Sequence, residues 1–251
     1  MLNALSLDLT PIVADQPDPL LFATVSGAHL YGFPSRDSDV DLRGAHLLPA
    51  AALLGLRDPQ ETRSRMWDHD GTEMDLVTHD LRKFVRLMLN RNGYVLEQLL
   101  SPLVVHTTPA HQELVALAPG VLTSHHAHHY RGFANTQWRL FGKTAELKPL
   151  LYAFRALLTG IHLMRAGEVQ AHLPSLVDAV PEAPGYLAGL IEAKVAAEHG
   201  PAAGVDAARV RQDFEALHGV LDAAQGGSAL PEYGSAYDAL DDFVVRSRAA
   251  G

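Results

Sequence analysis

Apolar and polar positions change their period along this chain. In the first hundred or so residues the apolar runs are short and closed by Gly or Pro. Leu21-Phe22-Ala23-Thr24-Val25, ended by Gly27, predicts a buried strand. Val40 to Leu48, stopped by Pro49, predicts a second. Residues 1–20, with Pro11, Pro17 and Pro19, predict a short strand or helix and loops. Residues 26–38 are rich in Gly, Ser, Pro and Asp and read as a turn. Ala50 to Leu56 predicts one or two helical turns, and 57–64 a polar loop around Pro59. Glu73 to His79 alternates: Glu73, Asp75, Val77 and His79 share one face, Met74, Leu76 and Thr78 the other. Asp80 is then a good N-cap for a helix over 81–90, whose apolar stripe is Leu81, Phe84, Val85 and Met88. Asn92-Gly93 stops that helix, a further one runs from Tyr94 to Leu100, and Leu103 to His106 predicts a last short strand.

Beyond about residue 108 the spacing is helical throughout. The predicted spans are 109–118, 125–142, 147–166, 184–199, 206–224 and 235–248, separated by Gly and Pro. The shift from strand-bearing to Ala/Leu-rich helical sequence divides the chain into a domain at 1–108 and a helical domain at 109–251. The fold class expected is α+β.

Composition narrows the picture. The 251 residues are 47% hydrophobic, enough for a packed core, and contain no cysteine, so disulfides and thiolate metal sites are excluded. No charged-then-apolar leader opens the chain and no apolar run reaches membrane-spanning length, which predicts a soluble, cytoplasmic protein with no membrane partner. The net charge of −9 argues against indiscriminate nucleic-acid binding. Basic residues gather locally, however: Arg131, Arg139, Lys143, Lys148, Arg155 and Arg165 stand against Glu146 alone between 131 and 165. That segment is either a solvated helix surface or a face for phosphates.

The chemistry concentrates in Ser26-Gly27-Ala28-His29-Leu30-Tyr31-Gly32 and Ser38-Asp39-Val40-Asp41-Leu42-Arg43-Gly44. Residues i and i+2 of a strand face the same way, so Asp39 and Asp41 present paired carboxylates. Adjacent like charges need a neutraliser, and a hard divalent cation prefers such oxygen ligands. A Gly-bounded turn beside a metal site suits a nucleoside triphosphate. Arg43 shares the carboxylates' face and could pair with Asp41 or touch phosphate.

This pattern resembles the DNA-polymerase-β nucleotidyltransferase superfamily. It is closest to the predicted bacterial branch assigned to RNA repair. Glu73-Met74-Asp75…Asp80-Leu81-Arg82-Lys83-Phe84 and Lys148…Tyr152-Ala153-Phe154-Arg155-Ala156-Leu157 look like that branch too. The resemblance implies a polymerase-β-like palm, a mixed sheet with helices, followed by an all-helical C-terminal domain. It implies NMP transfer from an NTP to an acceptor hydroxyl, an RNA end by analogy, with Mg²⁺ or Mn²⁺ held by Asp39, Asp41 and a third carboxylate. Asp75, on an alternating strand, is the expected third ligand, and Glu73 on the same face competes. A protein or small-molecule acceptor would use the same chemistry.

Where the superfamily usually has Gly-Ser, this chain has Gly27-Ala28. Only backbone N–H groups could then reach phosphate at 28, with Ser26 and Ser38 as substitutes. That departure favours a rival reading, a catalytically weak NTP-binding regulatory module. A phosphate-releasing hydrolase is a third. His29 and Tyr31 fit the branch pattern as nucleotide contacts or as structural residues. Lys148 and Arg155, two turns apart on one helix, could close on the triphosphate or acceptor, with Lys143 and Arg139 as alternatives. His125 and His129 have a chelating i, i+4 spacing, but no further ligand completes a zinc set, and a polar helix start is the simpler reading. Trp67 and Trp138 read as core residues.

Overall fold

The computed structural model describes residues 7–196 and 206–249. Among them the strands are β1 (Leu20–Val25), β2 (Val40–His46), β3 (Thr62–His69), β4 (Thr72–Asp80) and β5 (Val104–Thr107), ordered β3-β4-β2-β1-β5 in one sheet. β1 pairs antiparallel with β2 and β5, β3 antiparallel with β4, and β2 parallel with β4. The sheet is therefore mixed, and the fold is α+β with a mostly helical C-terminal region. The strands at its centre are apolar because they are covered; Phe22, Ala23, Leu42, Ala45 and Met74 are fully buried.

The helices before the C-terminal region are α1 (Thr10–Ala14), α2 (Gly27–Tyr31), α3 (Ala50–Leu54), α4 (Leu81–Leu89), α5 (Gly93–Leu99) and α6 (Pro109–Leu117). The expected turn at 26–38 thus contains one short helix. α4 begins as the sequence predicts: the Asp80 side chain accepts the Arg82 N–H at 3.0 Å, and Leu81, Phe84, Val85 and Met88 are its buried face. The Phe84 ring meets Phe22 of β1 edge-on at 5.3 Å, and His111 of α6 stacks on the same Phe22 at 4.5 Å.

Residues 57–64 are not wholly a loop. β3 starts at Thr62 and closes on β4 as a hairpin through Asp70-Gly71, whose φ values of 54° and 82° are those of a two-residue turn. As an edge strand β3 exposes much of its length, which is why its sequence carries no apolar alternation. Trp67 lies on this edge, half-buried, with the Arg65 guanidinium 4.6 Å from its ring centroid.

The C-terminal helices are α7 (His126–Thr144), α8 (Leu147–Ala166), α9 (Leu173–Ala179), α10 (Leu187–Ala196), α11 (Ala207–Gly226) and α12 (Tyr237–Ala249). α9 falls where no helix was expected. Positions 197–199 of the expected 184–199 helix lie outside the described residues. α8 is apolar almost all round and nearly every residue from Leu147 to Met164 is buried, so other helices surround it. Trp138 of α7 stacks on Phe214 of α11 at 4.3 Å.

Tertiary contacts divide the chain into two compact units that are discontinuous in sequence. One comprises residues 1–30, 39–121 and 233–251, and holds the sheet, α4 to α6 and α12. The other comprises 31–38 and 122–232, and holds α7 to α11. The 1–108 and 109–251 division remains a proposal about which segments fold on their own.

Burial gives the fold a pH dependence. Burial lowers the pKa of His46, His111, His172 and His218, and pushes His79, which also lies near Lys83, His46 and Arg43, down to about 4. The unfolded chain then binds protons at a pH where the native protein does not. Stability from these groups is full above the ordinary imidazole range and is lost as pH falls through it toward 4. Urea midpoints should drop steadily from pH 7.5 to pH 5. A flat midpoint over that interval contradicts this reading.

Candidate active site

The candidate site lies in the sheet-bearing unit and is built from the backbone outward. β1 ends at Val25, whose N–H donates to the Leu103 carbonyl at 2.9 Å and whose carbonyl accepts the Ser101 hydroxyl at 2.8 Å. The next N–H, of Ser26, donates to the Asp41 carbonyl at 2.8 Å. The chain then turns at Gly27, with φ +60°, against the Asp41 side chain. A Cβ at 27 would lie 1.7 Å from Asp41 Oδ2, so only glycine lets the turn and the carboxylate share this space.

Asp41 stands directly opposite Asp75 in the parallel register of β2 and β4. Arg43, two residues along the same face of β2, joins them. Its Nη2 donates to Asp41 Oδ1 at 2.5 Å and to Asp75 Oδ2 at 2.7 Å. Nη1 donates to the Leu42 and Asp75 carbonyls at 2.9 and 2.5 Å, and Nε to the Tyr94 hydroxyl at 3.1 Å. A guanidinium has five N–H groups, and all five are directed at these protein acceptors. Of the two roles open in the sequence, pairing with Asp41 is the one observed. Burial opposes the Arg43 charge, and the Tyr94 oxygen, Asp41 and Asp75 more than offset it, so its pKa is raised.

The other sequence candidates take distinct positions. Asp39 lies one residue ahead of β2, half-buried. Glu73 is exposed and pairs with Asp68 of β3, outside the β2–β4 register that begins at Val40 and Met74. Ser26 Oγ is fully buried with no hydrogen-bond partner among the described residues. Ala28 is buried beside it and His29 is half-buried. Ser38 belongs to the helical unit, where its Oγ accepts the Ser35 N–H at 3.0 Å and meets Ser35 Oγ at 3.1 Å. Tyr31, Lys148 and Arg155 belong to that unit too. Arg155 is 2% exposed there and lies 3.7 Å over the Tyr31 ring, with Phe33 and Tyr152 completing the aromatic cluster. Lys148 is half-buried in the first turn of α8.

Tyr94 is the residue that sequence reasoning missed. Its place at the start of α5 is set by Asn92, whose side chain accepts the Tyr94 N–H at 3.0 Å. The Asn92-Gly93 break was visible; the contact to Arg43, 51 residues away, left no local trace. The histidines at 125–129 form no metal set. His125 lies 3.7 Å from Glu232 and stacks on His128, and His126 is buried. Among the described residues, no group of three or more carboxylates or imidazoles closes around a metal position. Asp41 and Asp75 form a pair of carboxylates, a donor set whose chemistry fits a hard divalent cation.

Comparison with known proteins adds the following. The family RlaP, described as RNA repair pathway DNA polymerase beta family, matches residues 1–246. An uncharacterized protein of Methanocaldococcus jannaschii is 32% identical over 161 residues, covering 62% of this chain and 64% of its own length. An uncharacterized protein of Bacillus subtilis is 27% identical over 143 residues, covering 55% of this chain and 54% of its own. The chain thus spans less than two thirds of the length of either relative. A nucleotidyltransferase-like protein of Exiguobacterium sibiricum is 12% identical, with a TM-score of 0.33, over 87% of this chain and 74% of its own.

Proposed function

The chain belongs to the RNA repair pathway DNA polymerase beta family, and from that premise we propose that it is a divalent-metal-dependent nucleotidyltransferase. It would move an NMP from an NTP to an acceptor hydroxyl, with an RNA end as the acceptor. The observation that carries the reading is the register of β2 and β4, which sets Asp41 opposite Asp75 with Arg43 between them. Asp41, Asp75 and Asp39 are the residues proposed to hold Mg²⁺ or Mn²⁺. Bound there, the cation would polarise phosphoryl oxygens and offset the charge of the leaving pyrophosphate.

The chain's own residues do the positioning. Gly27 lets the backbone after β1 close against Asp41. Ser26, Ala28 and His29 follow β1 at that point and are proposed as nucleotide contacts. Placement of charge, rather than an acid–base pair, is what such a reaction asks of the protein. The proposed location is the cytoplasm. Among the described residues no helix is long and apolar enough to cross a membrane.

The test is incubation with Mg²⁺ and radiolabelled NTPs, offering RNA, protein and the chain itself as acceptors. Label on RNA that vanishes in Asp39→Ala and Asp41→Ala supports the proposal. Label on protein instead keeps the chemistry and changes the acceptor. Ala28 favours a second reading, a weak NTP-binding regulatory module, which predicts NTP binding with no transfer to any acceptor.

Ser26 sharpens the Ala28 question. A buried hydroxyl without a partner contributes nothing in the free protein, so Ser26→Ala should leave stability unchanged or raise it. If Ser26 supplies the hydroxyl that Ala28 lacks, the same variant should weaken NTP binding about three- to tenfold, the loss of one hydrogen bond. Unchanged binding by calorimetry removes Ser26 from the nucleotide contacts.

A further inference from the structure

Arg43 is more than one end of an ion pair. Its side chain is 9% exposed, and those of Asp41 and Asp75 are 14% and 23% exposed, so solvent screens the trio weakly. It is also anchored away from the carboxylates, by the Tyr94 hydroxyl through Nε and by two backbone carbonyls through Nη1. The planar fork therefore has its orientation fixed independently of the pair it bridges. Its Nη2 takes one oxygen from each carboxylate, Asp41 Oδ1 and Asp75 Oδ2.

We propose that Arg43, tethered by Tyr94, is a resident counter-ion: it holds Asp41 and Asp75 together before a divalent cation arrives and sets how tightly the pair takes one. The inference rests on the metal reading above and adds a positioning residue and its anchor. A +1 charge between two carboxylates lowers their mutual repulsion, so the pair keeps its register unloaded. The same charge repels an incoming divalent cation and weakens its binding. Tyr94 tunes both effects, because it accepts from the Nε that aims the fork.

The experiment titrates Mn²⁺ into wild type, R43Q and Y94F, reading free Mn²⁺ by electron paramagnetic resonance, and measures each melting temperature in EDTA. R43Q should melt lower in EDTA and bind Mn²⁺ on the order of tenfold more tightly. Y94F should shift both quantities the same way by less, about two- to threefold in affinity, the size of one hydrogen bond. Equal or weaker Mn²⁺ binding by folded R43Q overturns the counter-ion role while leaving the metal reading intact. If R43Q does not fold, Y94F decides alone, and unchanged affinity there overturns the role. A wild-type protein that binds no Mn²⁺ at millimolar concentration overturns the metal reading itself.

Discussion

Asp75→Asn is expected to reduce nucleotidyl transfer by roughly two to three orders of magnitude, while Glu73→Gln leaves it largely intact. Both residues sit on the same face of β4, and the sequence favours Asp75 with Glu73 as its competitor. Asp75 pairs with Asp41 across the parallel ladder and shares the Arg43 Nη2 with it. Glu73 is exposed, opposite Asp68 of the edge strand β3. Asparagine keeps the shape of aspartate and can still accept from Arg43 through its oxygen, but it carries no charge for a metal. Asp75→Asn should therefore melt close to wild type and lose transfer, which separates lost chemistry from lost fold. The check is initial rates of label transfer at saturating Mg²⁺, beside thermal unfolding of each variant. The reverse ranking, with Glu73→Gln inactive and Asp75→Asn active, would move the third ligand to Glu73.

What the sequence made legible was local. The alternation from Glu73 to His79, the Asp80 cap and the stripe of α4 depend on neighbours within a turn or two, and each appears in the structure. β3 was obscured because an edge strand buries little and needs no alternation, although Asp70-Gly71 signalled the hairpin that ends it. α9 is seven residues long, too short for helical periodicity to declare itself. In the candidate site, Asp39-x-Asp41 and Gly27 could be read from their spacing. That β4 rather than another strand lies beside β2 is a matter of topology, and so is the Asp41–Asp75 pairing that follows from it. Tyr94 and Arg43 meet across 51 residues, and nothing near either of them records it.

The same blindness to long range hid the groups around Asp80, whose replacement should destabilise the sheet-bearing unit by well more than the loss of a helix cap. The sequence identifies Asp80 as a helix cap, a role whose loss costs about 1 kcal/mol. The structure gives it three tasks. One oxygen caps α4 through the Arg82 N–H at 3.0 Å, the other accepts the Leu48 N–H at 3.1 Å, and both receive Arg248 Nη2 from the last turn of α12, at 2.8 and 2.9 Å. Asp80 is 0% exposed, and the Arg248 side chain, 12% exposed, also donates to the Leu48 carbonyl. Removing either partner leaves the other charge buried without its counter-ion, which costs about 3–5 kcal/mol. Arg248→Ala, which spares the cap, should therefore lose several times the cap's own value, and Asp80→Ala at least as much. The double variant should lose distinctly less than the sum, because the second substitution removes a charge already stranded by the first. Urea unfolding of the four proteins measures this cycle. An Arg248→Ala protein within about 0.5 kcal/mol of wild type, the usual range for an exposed surface change, would reduce Asp80 to the cap that its sequence position announces.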